Sequence, residues 1–394
     1  MKIKAAVVEQ QGAPFVIKDN IELAPLHPDD VQVHMVASGI CHSDEALRKG
    51  DAIIGYPIVL GHEGSGIVEK VGSNVQSLKV GDHVVLSFYA CGICENCLKG
   101  VPTQCLNYAE NNLSGVRPDG SSHFTENEHH VADMFDQSSF TTTTVVRERN
   151  AVKVPDDLDL RELGPLGCGY VTGSGTVLNT LKPKPGDTIA VFGTGAVGLA
   201  AMMAGKISGC TKVIAVDIID ERLALAKELG ATDTINSRQT DDVVAAIQAL
   251  TNGRGVNFCV DTTGITPVME DSIKALCQGG VSATIAVTPN HIDLDTWNDL
   301  CVNDKSVVGI NMGDSIPQID IPRLIEFYRQ GMFPFDKTEK FYDFEDINLA
   351  NEASIKGETI KPVLIIDPDY QSLIQNKSGM LRHLAFFESF VQLF

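Results

Sequence analysis

The sequence lacks any apolar run long enough to cross a bilayer. Its opening, Met1 to Glu9, offers only the apolar run Ala5 to Val8 before an acid, too short for the apolar region of a secretion signal. A cytoplasmic location is therefore expected, with no membrane partner. Positive charge is also scarce: 31 Lys and Arg stand against 51 Asp and Glu, a formal net charge of -20. Such a surface repels a phosphate backbone except at local basic patches, so nucleic acid is not an expected partner. No internal repeat marks a solenoid.

What is present is ordinary globular composition, 43% hydrophobic and 21% charged. A chain of 394 residues exceeds one comfortable core, so two domains are expected. Ten cysteines in a reducing compartment point to metal ligands or buried apolar groups rather than disulfides.

From Met1 to about Leu160 the text is short strand-like runs broken by Gly and Pro, such as Val31 to Val36 and His83 to Leu86. From Asp187 to about Ile310 strand and helix alternate. Strands are predicted at Thr188 to Phe192, Lys212 to Asp217, Val256 to Asp261, Val281 to Val287 and Lys305 to Ile310. Helices are predicted between them, including Gly195 to Gly209, Glu221 to Leu229, Asp241 to Leu250 and Pro267 to Cys277. That alternation calls for an α/β unit with a doubly wound parallel sheet. After Gly313 come two more strands, Glu339 to Tyr342 and Pro362 to Ile366, and a helix at Pro322 to Gln330, a segment expected to rejoin the first domain. A last helical stripe, Met380, Leu384, Phe387, Val391 and Phe394, has no assigned function.

Gly193-Thr194-Gly195-Ala196-Val197-Gly198 follows the apolar run Ile189 to Phe192 and opens an alanine-rich helix. Between a strand and a helix this pattern sets a pyrophosphate against free backbone N–H groups and the positive helix end. An acid about 20 residues on should bind a ribose hydroxyl, and Asp217 fills that place. A carboxylate there repels the extra phosphate of NADP, and no arginine follows at once, so NAD is expected.

Cys91, Cys94, Cys97 and Cys105 form C-x2-C-x2-C-x7-C. Four thiolates in one loop close a tetrahedral shell, the signature of structural zinc; an iron-sulfur cluster and disulfides are the alternatives. Cys41 and His62 are separately as compatible with a core thiol and a core imidazole. Adding Cys168, within Gly164 to Gly169, gives three zinc-type ligands and leaves the fourth position to substrate.

From Met1 to about Asp367 the chain resembles the zinc-containing medium-chain alcohol dehydrogenases, most closely their aryl-alcohol and benzyl-alcohol branch. The resemblance rests on Gly61-His62-Glu63-Gly64, the four-cysteine loop, Gly115 to Gly120, Gln137-Ser138-Ser139-Phe140, Gly164 to Gly169 and Gly193 to Gly198. It implies a GroES-like, mostly β catalytic domain at 1–169, completed by 312–367, and a Rossmann domain at 170–311. Residues 368–394 are then an extension of unknown role. It also implies two zinc ions per chain, NAD, a small alcohol or aldehyde as substrate, and a homodimer or homotetramer.

By the same resemblance Asp44 orients the metal site and Glu63 lies behind the zinc. Ser43 accepts the alcohol proton and passes it to the cofactor ribose. His42 lies near the pyrophosphate and is a candidate for the proton's exit, because Ala46 stands where liver-type members carry the relay's last histidine. Thr172 matches a nicotinamide neighbour, Arg222 a residue near the adenosine, and Lys361 a contact to pyrophosphate. Phe88 and Tyr89 are candidates for an aromatic substrate wall. His123, His129 and His130, with Glu126 and Glu128, are expected on a solvated surface, and His83 in a turn beside a strand.

Rival readings are weighed against the same residues. A zinc-free reductase of the superfamily lacks these ligands. A glutathione-dependent formaldehyde dehydrogenase or a general aliphatic alcohol dehydrogenase shares both zinc sites and stays the alternative. A non-enzymatic zinc protein leaves Ser43, Asp217 and the glycine motif unexplained.

Overall fold

The structure is a computed structural model and describes residues 1–50 and 54–372. Three sheets organise it. One has five antiparallel strands in the order Ile58–Val59, Lys2–Val8, Phe15–Leu23, Phe124–Glu126, His129–Val131. The second orders Ala151–Lys153, His83–Leu86, Gly64–Val71, Asp30–Gly39, Lys361–Ile365 and Glu339–Asp343, and Thr143–Arg147 also pairs with Asp30–Gly39. The late strands thus return to the sheet of the first half.

Register in this second sheet brings distant residues together. Asp30–Gly39 and Gly64–Val71 run antiparallel with Ser38 opposite Gly64, so Cys41 and His62 leave the sheet at the same end. The Gly39 N–H donates to the Glu63 carbonyl at 3.0 Å and extends the pairing to the edge of the site. Asp30–Gly39 is buried along almost its whole length, which fixes its register through the core face.

The third sheet is parallel and ordered Asp233–Asn236, Lys212–Asp217, Thr188–Phe192, Val256–Asp261, Leu276–Thr284, Ser306–Gly309. The order reverses beside Thr188–Phe192, the place where a doubly wound sheet opens a ligand crevice. One apolar cluster runs from the first-half sheets through Tyr170 and Val171 to Met202 and Ile321. A second, around Ala190, Ile214 and Ile247, fills part of the parallel sheet's core.

The expected alternation of strands and helices is observed, with shifted ends. The helix predicted from Pro322 spans Pro317–Arg329, since Pro317 suits a first turn whose N–H groups lack partners anyway. The helix predicted to Cys277 stops at Lys274, and Leu276–Thr284 is already strand. The short polar edge strand Asp233–Asn236 carries no apolar period and escapes sequence reading. Among the described residues no helix is long and apolar enough to cross a membrane. The stripe from Met380 to Phe394 lies outside the described residues.

Candidate active site and cofactor crevice

Helix His42–Lys49 begins where Asp30–Gly39 ends, with Cys41 as its N-cap. Asp44, fully buried, closes the cap by accepting from the Cys41 N–H at 2.9 Å. Its other oxygen accepts from the Gly61 N–H and from His62 Nδ1, both at 3.0 Å. One carboxylate therefore ties the helix start to the histidine and fixes which imidazole nitrogen carries the proton. His62 Nε2 is left buried with no partner.

Cys168 reaches the same place from a 3-10 turn at Gly164–Gly167, as the N-cap of helix Gly169–Gly175. The turn lies so close to the sheet that a Cβ at Gly167 would come within 1.9 Å of the Leu86 carbonyl oxygen, so only glycine fits. The ligand atoms of Cys41, His62, Glu63 and Cys168 all lie within 4.8 Å of one another. A hydrogen bond from Cys168 pulls the Cys41 thiol well below its ordinary range against burial. Two sulfurs, an orphaned imidazole nitrogen and a carboxylate in one buried spot fit zinc with an exchangeable position.

Ser43 Oγ lies 3.8 Å from Cys41 Sγ, while His42 is exposed and Ala46 offers no polar group. Glu63, buried on the inner side, accepts from the Gly169 N–H at 3.1 Å and from Lys361 Nζ at 2.8 and 2.7 Å. Lys361, expected as a pyrophosphate contact, is 3% exposed, and its ammonium bonds Glu63 and the Ile40 carbonyl. A buried carboxylate without a cation costs several kcal/mol, and Lys361, buried at the start of the strand Lys361–Ile365, supplies one. Burial opposes that ammonium, yet Glu63 holds it above the ordinary lysine range.

The second cysteine set is also assembled. Sγ atoms of Cys91 and Cys105 are 3.5 Å apart, and the pairs Cys91–Cys97 and Cys94–Cys105 are each 4.0 Å apart. All are free thiols, which removes the disulfide alternative. Backbone N–H groups of Cys97 and Leu106 lower Cys94 to about 6, so it offers a thiolate at neutral pH.

In the crevice, a Cβ at Gly198 would strike the Gly193 carbonyl at 1.9 Å, whereas the space beside Gly195 is open to 4 Å. The glycines thus pack helix Ala196–Ile207 on its strand and leave room for a phosphate group. Asp217 ends its strand with both oxygens engaged. One accepts from Thr194 N and Oγ1 at 2.7 and 2.6 Å, the other from Ile218 N and Ile219 N at 2.7 and 3.1 Å. Arg222 donates to the Gly357 carbonyl at 3.0 Å and lines a cavity of about 370 Å³ with Ile219 and Lys356. Thr172 is buried one helical turn past Cys168.

His123 departs from its expected exposure: it is fully buried, between the Val145 carbonyl at 2.8 Å and Asp136 at 2.9 Å. His129 and His130 are exposed, and His83 opens a strand rather than a turn. Tyr89 lies under the Arg147 guanidinium, 3.6 Å from its ring centre, and not in an apolar wall. Phe135, which no sequence pattern singles out, packs edge-on against His62 at 5.0 Å.

Two family models match: "Zinc-binding dehydrogenase" over residues 196–330 and "Alcohol dehydrogenase GroES-like domain" over 27–156. The chain is similar to geraniol dehydrogenase of Castellaniella defragrans, 43% identical, over 92% of this chain and 97% of that one. It is also similar to a probable S-(hydroxymethyl)glutathione dehydrogenase of Schizosaccharomyces pombe, 34% identical, over 92% and 96%. Among solved structures, benzyl alcohol dehydrogenase from Acinetobacter calcoaceticus superposes with a TM-score of 0.89 at 42% identity, covering 93% of this chain and 100% of that one. With both metal sites assembled and the nucleotide crevice formed, the chain belongs to the NAD-dependent, zinc-binding alcohol dehydrogenase family.

Proposed function

We propose that the enzyme reversibly oxidises primary aryl or allylic alcohols to aldehydes, with NAD as hydride acceptor. The observation that carries the substrate class is the aromatic wall at the metal site: Phe135 edge-on to His62, Tyr108 on Phe135, and Phe88 on Tyr108. Flat apolar substrates gain burial and edge-to-face contacts against such rings. Relatives named for geraniol and benzyl alcohol agree with the class.

Zinc held by Cys41, His62 and Cys168 supplies the Lewis acidity that lowers the hydroxyl pKa by several units. Asp44 holds the His62 tautomer, and Lys361 holds Glu63 in place behind the ligands. Ser43 would take the hydroxyl proton, and Thr172 would help hold the nicotinamide, which would supply the hydride acceptor. The exposed His42 then delivers the proton to water, since Ala46 carries no acceptor. Gly193, Gly195 and Gly198 receive the pyrophosphate, Asp217 the adenosine ribose, and Arg222 the rim of the adenosine cavity. Cys91, Cys94, Cys97 and Cys105 hold the structural zinc.

The same reading takes 1–169 with 312–367 as the catalytic unit, 170–311 as the nucleotide unit and 368–394 as an extension, in a cytoplasmic homo-oligomer. Oligomerisation is supported by the parallel sheet's edge strand Ser306–Gly309 and the exposed Trp297 and Val302 near it. A monomer in sedimentation would remove that part.

A panel of benzyl, cinnamyl, straight-chain and glutathione-adduct alcohols, followed by NADH absorbance, tests the substrate. Benzyl or cinnamyl alcohol should give the highest kcat/KM. Preference for the glutathione adduct would replace this reading with glutathione-dependent formaldehyde oxidation, and preference for straight chains with a general aliphatic activity.

A further inference from the structure

One side chain at the wall is chemically out of place. Tyr108 opens the helix Tyr108–Leu113, just past the last cysteine of the four-cysteine loop, and its N–H donates to the Cys105 carbonyl at 2.9 Å. Its carbonyl is held in turn by Asn112 Nδ2 at 2.8 Å, and the same amide bonds both backbone groups of Tyr89. The backbone here is pinned from two sides. The ring therefore keeps its place between Phe88, at 5.7 Å, and Phe135, at 6.4 Å.

The hydroxyl at the ring's tip is buried and has no hydrogen-bond partner. Asn311 lies beside it as a donor, one N–H going to the Thr103 carbonyl at 3.0 Å and the other facing the phenol oxygen, so the phenol's own proton still has no acceptor. A neutral phenol is a hydrogen-bond donor. Buried polar groups are nearly always satisfied, and an exception at a functional site asks for a ligand atom as its partner. Phe88 and Phe135 on either side offer none.

We propose that Tyr108 determines specificity in the alcohol pocket by donating a hydrogen bond to an acceptor substituent, such as a methoxy oxygen, on the ring of an aryl alcohol. The proposal rests on the aryl-alcohol reading above. It assigns to the four-cysteine lobe a part in selecting substrate, because that lobe carries the donor.

The test uses the zinc-loaded full chain with NAD. The kcat/KM values of 4-methoxybenzyl and 4-ethylbenzyl alcohol, similar in length but differing in the acceptor oxygen, are compared, and the 3-substituted pair likewise. For at least one ring position the methoxy-to-ethyl ratio should fall about tenfold in Tyr108→Phe, because the hydrogen bond is lost while the ring stays. A purely structural role would lower both members together and leave each ratio as it was, which overturns the proposal. A wild-type ratio near one at both positions overturns it without any variant. If no benzyl alcohol is oxidised while another class is, the aryl reading fails first and takes this proposal with it. Oxidation of both members at unchanged ratios removes Tyr108 alone.

Discussion

The two cysteine sites use the same element in opposite ways. The four-thiolate site is built within one loop, from Cys91 to Cys105, and three of its sulfurs belong to partly exposed residues. The Cys41, His62, Cys168 site takes its ligands from two strand ends and a distant turn, and His62 and Glu63 are fully buried there. Local spacing makes the first a clip that closes on its metal whatever the rest of the chain does. The second exists only when the sheet register is right. A site that must hold substrate needs buried walls, and buried walls come from tertiary structure.

The largest way to sharpen that contrast is Cys168→Ser. Metal analysis should fall from about two zinc per chain to about one, and alcohol oxidation should drop by about 10³-fold or more, since the metal's charge stabilisation is lost. A native content of one zinc breaks the two-site comparison outright. Next in size is Ser43→Ala. It should slow oxidation at neutral pH by about 10²-fold, the usual worth of a positioned proton acceptor, with zinc content unchanged. An unaltered rate takes Ser43 out of the proton's path.

Asp44→Ala should come third. Its carboxylate bonds Cys41, Gly61 and His62 at once, so its loss should weaken zinc at the buried site by about 10 to 100-fold and spare the loop site. A chelator titration separates the two pools. Equal weakening at both sites would mean that Asp44 holds the domain together rather than the metal.

These contrasts explain what could be read from the sequence. The loop ligands were legible because their whole geometry lies in spacing, and the glycine motif because Gly193 and Gly198 answer a local packing need. Cys41, His62 and Cys168 were legible only through motif context, since no spacing rule links residues that a sheet register brings together. The Lys361–Glu63 ion pair was hidden for that reason, since the two residues are remote in sequence and meet only through the sheet. His123 was misjudged because its polar sequence neighbours hid a buried ion-pair partner, Asp136. Phe135 and Tyr108 carried no signal, as aromatic residues are common in cores and their meeting with His62 is wholly tertiary.

The smallest effect on rate, and the most informative about the comparison, is expected from Cys94→Ser. Three remaining thiolates hold zinc less well, so the loop metal should be lost on mild chelation while the buried one stays. Melting should begin several degrees lower, because the clip's binding energy is part of the folding energy. The ligands, Ser43 and Asp44 lie on other elements, so benzyl alcohol turnover at low temperature should change by less than about tenfold, well short of Cys168→Ser. The methoxy-to-ethyl ratio should nonetheless move toward one, because Tyr108 hangs from the Cys105 carbonyl and loses its anchor with the metal. If the ratio holds while the loop zinc is gone, the lobe is a structural clip and nothing more. If it shifts with little loss of turnover, the exposed site tunes what the buried site accepts.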